Sequence, residues 1–256
     1  MSFIKKFLKT IITYIAKRIN IFPENVYKNE RISYNQIDIY YSPSNNRVKR
    51  RWLKFEKDGK EQNTINWINS FKDHEVFFDI GANIGVFSIY AGLKKNIKVY
   101  AFEPEVNSFI DLTKTIKLNK CNNITPVLIA LSDVRSANYF NYKSEFVSGH
   151  SSHNFGDQTQ KSFSYLTCSD TIDNLVSTKK ILEPNYIKID IDGNEKEVFN
   201  GMQETLKLQS LKSVLIEINN DDEMSYFHNY FKTLNFKQTG IPSESNNNYI
   251  FSKIYF

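Results

Sequence analysis

Acidic residues and glycines follow two apolar segments in the first half of the chain, in a pattern that could hold a nucleotide-like ligand. The first segment, residues 76–80, includes Asp79 and leads into a turn between Gly81 and Gly85. Glu103 directly follows the second segment. A strand, a glycine turn and a helix N-terminus form a nucleotide cradle at the carboxyl edge of a parallel sheet. We therefore expect both acids to face one ligand.

The spacing of the glycines indicates which ligand this is. A dinucleotide fingerprint Gly-x-Gly-x-x-Gly that starts at Gly81 would need glycines where Asn83 and Val86 stand, so a pyrophosphate has no place to rest. S-adenosylmethionine instead presents an ammonium, a carboxylate, a sulfonium and a ribose diol. Asp79 suits its cationic end, the turn amides suit its carboxylate, and Glu103 suits the ribose hydroxyls. The spacing predicts an S-adenosylmethionine site for methyl transfer.

A later strand carries a second set of charged residues. Lys188 and Asp190 alternate within the segment 186–191, and Asp192 follows it. Carboxylates at the carboxyl end of a central strand point into the crevice where ligands bind, and their burial must be offset by partners. We expect Lys188 to pair with Glu217 on the neighbouring strand, and the two aspartates to face the methyl acceptor.

The elements that must position these residues alternate between strand and helix, which predicts an α/β fold with a mostly parallel seven-stranded, Rossmann-like sheet. Strands are predicted at 76–80, 98–102, 124–130, 186–191, 213–218, 236–239 and 249–255, the last two as an antiparallel closing pair. Helices are predicted at 84–94, 105–119, 195–208 and 223–234. A polar stretch, 132–170, interrupts the alternation and contains two short predicted strands, 137–142 and 162–167.

Residues 1–74 are predicted to form an N-terminal extension, and residues 75–256 the ligand-binding domain. Within the extension we expect an amphipathic basic helix near residues 3–19, a strand at 37–41 and a helix at 62–71. Five cations among the first helix's seventeen residues argue against a transmembrane span. Two interpretations of residues 1–20 stay open, namely peripheral contact with an anionic membrane and packing on the protein's own domain or a second subunit.

Composition sets broad limits. The 256 residues suffice for one α/β domain with additional segments. A net charge of +5 permits an anionic partner without requiring one. Cys121 and Cys168 are the only cysteines and lack a metal-binding spacing, which indicates reduced thiols in a cytoplasmic protein, or one at the inner face of the membrane.

Six sequence blocks over about residues 76–219 together resemble the FkbM-type methyltransferases. They are FDIGANIG (78–85), AFEP (101–104), ALSD (130–133), TIDNL (171–175), IKID (187–190) and IEI (216–218). The resemblance implies a class I S-adenosylmethionine-dependent fold and transfer to a hydroxyl, often on a sugar of a secondary metabolite or surface polysaccharide. It also implies that Ser132 and Asp133 lie near the adenine. The predicted cofactor residues are Asp79, Gly81, Asn83, Gly85, Glu103, Pro104, Ser132, Asp133 and Asp190.

Two positions depart from the family pattern and leave the general base open. Asp192 stands where a glutamate is usual, and Asn219 where a histidine is common. Transfer to a hydroxyl is an in-line displacement that needs positioning and removal of a proton. The candidate catalytic residues are Asp190, Asp192, His150 and His153; the two histidines lie in a loop rich in serine that could cover the acceptor.

Other functions and cofactors remain as alternatives. We expect no metal, although Asp190, Asp192 or Glu195 would suit Mg²⁺. The expected acceptor is a small molecule or glycan and not a nucleic acid. The basic run 47–51 suggests a nucleic-acid methyltransferase, but the Asn/Asp-Pro-Pro-aromatic tetrapeptide of amino-group methylation is absent after residue 189. The remaining alternative is a non-catalytic protein that binds the cofactor or a glycan.

Overall fold

The computed structural model describes residues 29–57, 61–142, 153–157, 163–191, 193–240 and 247–254. The predicted helix within residues 1–20 lies outside these ranges, so both interpretations of it stay predictions. None of the helices in the described ranges is long and apolar enough to cross a membrane.

Strands and helices alternate along most of the described chain. The strands are β1 (Glu30–Tyr34), β2 (Ile37–Tyr41), β3 (Val76–Ile80), β4 (Lys98–Phe102), β5 (Ile124–Val127), β6 (Ala130–Leu131), β7 (Ser136–Tyr142), β8 (His153–Gly156), β9 (Ser164–Asp170), β10 (Tyr186–Ile189), β11 (Ser213–Glu217), β12 (Phe236–Gly240) and β13 (Asn248–Lys253). The helices are α1 (Asn46–Lys57), α2 (Gln62–Asn69), α3 (Val86–Lys94), α4 (Val106–Leu118), α5 (Ile172–Ser177), α6 (Glu195–Asn200), α7 (Gln203–Lys207) and α8 (Asp221–Thr233).

The central sheet has seven strands in the order β12-β13-β11-β10-β3-β4-β5. Its pairs are parallel except those of β13, which runs antiparallel to both β11 and β12. This confirms the predicted α/β fold with a mostly parallel seven-stranded sheet. The chain order reverses between β3 and β10, so the crevice for a ligand lies beyond the carboxyl ends of these two strands.

Both faces of the central sheet are covered, which explains why β3 is apolar almost throughout. Phe77 and Phe78 are fully buried and point to opposite faces because side chains alternate along a strand. Phe77 joins a cluster that includes Trp67. Phe78 joins a second cluster with Phe199 and Phe227. Parallel strands of this kind are buried on both sides, as observed here.

The segment 29–74 shares the first of these clusters with the sheet. Strands β1 and β2 form an antiparallel hairpin, and α1 places the fully buried ring of Trp52 against Tyr41. The indole nitrogen of Trp67 donates a hydrogen bond to Ser213 Oγ at 2.8 Å. The strand predicted at 37–41 and a helix near 62–71 are present, whereas β1 and α1 were not predicted.

The polar stretch 132–170 contributes to a second sheet of four strands, in the order β6-β9-β7-β8. Two of its strands, β7 and β9, correspond to those predicted there. The helix predicted at 195–208 is two helices, α6 and α7, which are interrupted at Gly201. A Cβ atom at Gly201 would lie 2.0 Å from the carbonyl oxygen of Ser132, so the chain turns where the two backbones meet.

Candidate functional site

An open cleft of about 670 Å³ lies at the carboxyl ends of β3, β4 and β10. Its polar wall contains Gly81, Asn83, Glu103, Asp190 and Asn194. Its apolar wall includes Phe102, Ile129, Leu131, Phe140, Phe155 and Val198. The cleft therefore combines a large apolar surface with a few convergent polar groups.

The glycine turn after β3 brings two strands into close contact. Gly81 has φ +79°, and a Cβ atom there would lie 1.9 Å from the carbonyl oxygen of Asp190. Gly85 has φ +86°, and a Cβ atom there would lie 2.3 Å from a methyl carbon of Leu112. Other residues would be strained in this conformation and would have no room for a side chain. The spacing of the two glycines is thus set by the approach of β10 and α4.

Glu103 lies at the tip of β4 and lines the cleft although only 6% of it is exposed. One carboxylate oxygen accepts a hydrogen bond from the Asn83 amide at 2.6 Å, and the other accepts from the Glu105 amide at 2.8 Å. Burial raises the pKa of Glu103 to about 8, against the effect of these two donors. The cleft wall brings together five of the predicted cofactor residues: Gly81, Asn83, Glu103, Pro104 and Asp190.

Asp79 lies beneath the glycine turn and is not part of the cleft wall, which differs from the predicted contact with a ligand's cationic end. It is fully buried, and it accepts a hydrogen bond from Ser88 Oγ at 2.5 Å. Burial raises the pKa of its carboxyl. The position follows from the register, because Asp79 is still inside the sheet, directly opposite Lys188 on β10.

The predicted pair between Lys188 and Glu217 is wrong. Lys188 Nζ lies 2.7 Å from Asp190 Oδ2 and 3.8 Å from Asp79 Oδ1. On β11 the residue opposite Lys188 is Leu215, so Glu217 lies further toward the carboxyl edge of the sheet. Burial disfavours the charge on Lys188, but the two aspartates outweigh this and raise its pKa.

Asp190 is the candidate catalytic residue that the structure places in the cleft. Its side chain is 34% exposed. Burial raises the pKa of the Asp190 carboxyl, but the nearby ammonium of Lys188 has the larger effect, so the pKa is lowered. Asp192 and His150 lie outside the described residues. The backbone of His153 belongs to β8, two residues before Phe155 in the cleft wall. The catalytic roles of these four residues stay predictions.

The predicted adenine residues lie beside the cleft and not in its wall. Ser132 is buried, and its hydroxyl donates to the Asp133 carboxylate at 3.1 Å. The wall is formed instead by the three residues just before them: Ile129, Ala130 and Leu131. The sequence analysis also missed Asn194, whose side-chain amide donates to the carbonyl oxygen of Phe155 at 3.1 Å and joins the central sheet's loops to β8.

The side chain of Glu195 binds a backbone amide two residues earlier in the chain. Only 3% of it is exposed, and both carboxylate oxygens accept from the Gly193 amide, at 3.1 and 3.0 Å. Burial raises the pKa of this carboxyl. In the part of the chain that the structure describes, no three acidic, histidine or cysteine residues are grouped as metal ligands. Asp192 is not in that part, and the alternative of a Mg²⁺ site stays a prediction.

The strand order and the position of the cleft define the class I S-adenosylmethionine-dependent methyltransferases. The family model of the methyltransferase FkbM domain matches residues 79–246. The chain belongs to this family, as the six sequence blocks predicted.

Two curated proteins are similar to parts of the chain. Hexuronic acid methyltransferase AglP of Haloferax volcanii is 30% identical over 159 residues, which are 62% of this chain and 62% of that protein. A tRNA(Phe) (4-demethylwyosine(37)-C(7)) aminocarboxypropyltransferase of Methanocaldococcus jannaschii is 36% identical over 93 residues, which are 34% of this chain and 35% of that protein. The chain thus spans less than two thirds of either relative.

Solved structures share the fold. The crystal structure of methyltransferase FkbM from Methylobacillus flagellatus KT has a TM-score of 0.52 at 17% identity, covering 71% of this chain and 44% of that one. The METTL16 MTase domain has a TM-score of 0.52 at 12% identity, covering 89% of this chain and 87% of that one. At these identities the likeness concerns the fold alone.

Proposed function

We propose that the chain transfers the methyl group of S-adenosylmethionine to a hydroxyl group of a sugar, in a surface glycan or a related metabolite. The observation that carries this proposal is that Glu103, the glycine turn and Asp190 border one cleft at the switch point of the sheet. The sugar acceptor is supported by the name of the relative AglP, a hexuronic acid methyltransferase.

The residues present fit this cofactor. The carboxylate of Glu103 has the lone pairs to accept both ribose hydroxyls once it is ionised. The turn amides are already paired within the chain, that of Asn83 with Glu103, so their predicted contact with the cofactor's carboxylate is not part of this proposal. The apolar wall with Phe102 and Leu131 suits a flat base. Asp79 is buried beneath the turn, 3.8 Å from Lys188 Nζ, and does not line the cleft. Gly81 allows the turn to approach the backbone of Asp190, because a side chain there would meet the Asp190 carbonyl oxygen.

The chemistry then requires a positioned hydroxyl and a proton acceptor. When bound, the cofactor supplies an electrophilic methyl carbon, whose bond to sulfur breaks as its bond to the acceptor oxygen forms, the electron pair staying with sulfur. Asp190 is ionised at neutral pH because its pKa is lowered, despite burial, by Lys188. A carboxylate of low pKa is a weak base, so Asp190 takes the hydroxyl proton only as the methyl group arrives. Orientation of the hydroxyl supplies much of the rate.

A turnover screen with methyl-labelled S-adenosylmethionine tests the proposal. Nucleotide sugars, neutral oligosaccharides and oligosaccharides that contain sugar acids serve as acceptors, with tRNA and single-stranded DNA as comparison substrates. We expect label in a sugar fraction and none in nucleic acid. Label in nucleic acid alone would contradict the sugar acceptor and favour a nucleic-acid methyltransferase. Calorimetric binding of the cofactor without label in any acceptor class would favour the non-catalytic alternative.

A further inference from the structure

Helix α1 bridges the two helices that begin beside the cleft. Just before α1, the hydroxyl of Ser44 donates a hydrogen bond to the carboxylate of Asp111 on α4. Toward the other end of α1, the ring of Phe55 lies 6.3 Å from the ring of Phe87 on α3. Helix α3 starts directly after the glycine turn, and α4 starts three residues after Glu103. Helix α1 therefore crosses the N-terminal parts of α3 and α4, the helices that follow the glycine turn and the tip of β4.

Two arginines of α1 lie on the same face of the helix as Phe55. Arg47, Arg51 and Phe55 follow one another at intervals of four residues, so they lie on one side of the helix. The ring of Phe87, which Phe55 contacts, lies 5.0 Å from Lys188 Nζ, the cation that holds Asp190.

The charge of Arg51 reaches the cleft carboxylates. Burial raises the pKa of both Glu103 and Asp190, and the Arg51 guanidinium lowers the pKa of both. This agrees with a position of the Arg51 charge near the two acids. Both carboxylates also have donors of their own. Glu103 accepts from two backbone amides, and Asp190 accepts from Lys188.

Arg47 has a donor that the described structure does not satisfy. Its Nη1 atom is buried and has no hydrogen-bond partner in the ranges that the structure describes. Buried donors are nearly always paired in folded proteins, so a missing acceptor is expected beside this guanidinium. The planar fork of a guanidinium matches a carboxylate, to which it donates two parallel hydrogen bonds.

We propose that Arg47 and Arg51 bind the carboxylate of a ligand that occupies the cleft. This inference rests on the proposed function, because the two ligands of that reaction that can carry a carboxylate are S-adenosylmethionine, at its methionine end, and a sugar acid as acceptor. Bound at this place, the carboxylate would fix one end of the ligand above the glycine turn and so set the distance of the reacting group from Asp190.

The first experimental arm concerns the cofactor and uses calorimetry on the full chain. S-adenosylmethionine is compared with decarboxylated S-adenosylmethionine for the wild type, Arg47→Gln and Arg51→Gln. The matched control is Arg50→Gln. Arg50 is exposed on the same helix, and its substitution removes the same charge. If the methionine carboxylate is bound, Arg47→Gln and Arg51→Gln each lose roughly tenfold or more in affinity for the intact cofactor and little for the decarboxylated one.

The second arm concerns the acceptor. Binding of methyl glucuronide and of methyl glucoside is measured in the presence of S-adenosylhomocysteine. If the acceptor carboxylate is bound, the wild type prefers the glucuronide roughly tenfold or more, Arg51→Gln removes the preference, and cofactor affinity is unchanged. Arg47→Lys keeps the charge and tests whether the fork geometry at this position matters.

The outcomes separate the two proposals. Variants that match Arg50→Gln in both arms, with wild-type melting curves, overturn the carboxylate site whether or not methyl transfer occurs. A wild type that transfers no methyl group to either glycoside counts against the sugar acceptor. Selective loss of intact cofactor affinity in the arginine variants would then still support the carboxylate site.

Discussion

Lys188 Nζ lies 2.7 Å from Asp190 Oδ2, so a carboxylate that lines the cleft is held by an ammonium group inside the central sheet. The side chain of Lys188 is 1% exposed, whereas that of Asp190 is 34% exposed. The acid is therefore reached from the cleft on one side and fixed from the core on the other. Substitutions of the lysine should affect stability and the site together.

The first prediction concerns the stability that depends on Lys188. Lys188→Met leaves the fully buried carboxylate of Asp79 without its nearby cation, 3.8 Å away in the wild type. Breaking a buried ion pair by removing one partner costs about 3–5 kcal/mol of unfolding free energy. Urea denaturation measures this loss.

A surface pair provides the control for this substitution. Lys207 contacts Glu204, and their side chains are 53% and 74% exposed. Lys207→Met should therefore unfold at the wild-type urea concentration, since exposed pairs contribute little. A Lys188→Met midpoint equal to that of the control would show that the buried cluster does not depend on the lysine.

The second prediction concerns the pH dependence of cofactor affinity. Burial raises the pKa of Glu103 to about 8 in the protein without ligand, so the carboxyl is mostly protonated below that pH. If the ionised form accepts the ribose hydroxyls, binding must remove this proton, and affinity rises as the pH increases. From the ionised fraction alone, affinity should increase roughly 50-fold between pH 6 and pH 8 and level off above about pH 9.

Glu103→Gln is the variant that assigns this pH dependence. Its affinity for S-adenosylmethionine should be lower at pH 9, because a charge-assisted hydrogen bond contributes about 1.5–3 kcal/mol, and it should vary little from pH 6 to pH 9. A pH profile in Glu103→Gln that follows the wild type would assign the titration to another group. Calorimetry at four pH values is sufficient for this comparison.

The third prediction concerns the contact between the glycine turn and β10. Gly81→Ala combines a backbone at φ +79° with a Cβ atom 1.9 Å from the Asp190 carbonyl oxygen. The conformation alone costs about 1–3 kcal/mol, and displacement of β10 adds to it. We expect a lower melting temperature and loss of cofactor binding. Gly156→Ala is the matched control, since nothing lies within 4 Å of a Cβ atom there. Equal melting of the two variants would contradict the described contact.

The fourth prediction concerns catalysis. Asp190→Asn should lower turnover by about 10²-fold or more, because it removes a positioned proton acceptor, while cofactor affinity changes much less. Single-turnover kinetics with saturating cofactor measures this step. Asp222→Asn, on the exposed start of α8, is the control. Near-normal turnover of Asp190→Asn would transfer the role to Asp192, His150 or His153.

The sequence predicted those parts of the fold that a local pattern determines. Strands β3 and β4 have the predicted bounds, because each apolar run ends at a glycine turn or an acidic residue. The positions of Gly81 and Glu103 in one cleft followed from the rule that parallel strands present their carboxyl ends at one edge.

Features that depend on register or on distant contacts were not predictable in the same way. The partner of Lys188 depends on which residue of each neighbouring strand stands opposite it, and that residue is Asp79 on β3 and Leu215 on β11. Helix α1 was missed because its basic residues alternate with Val48 and Trp52, whose burial requires the hairpin β1–β2. Phe140 enters the cleft from the second sheet, which no local pattern connects to the site.

The insertion of β13 between β11 and β12 has a consequence for synthesis on the ribosome. Strand β12 precedes β13 in the chain but joins the sheet through it. Until residue 253 has left the exit tunnel, the outer edge of β11 has no strand to pair with and exposes its amides and carbonyls. A nascent chain at that stage presents an open edge of the kind that favours pairing with other chains. Completion of the sheet therefore waits for β13, and a translational pause before residue 248 would prolong the period of exposure.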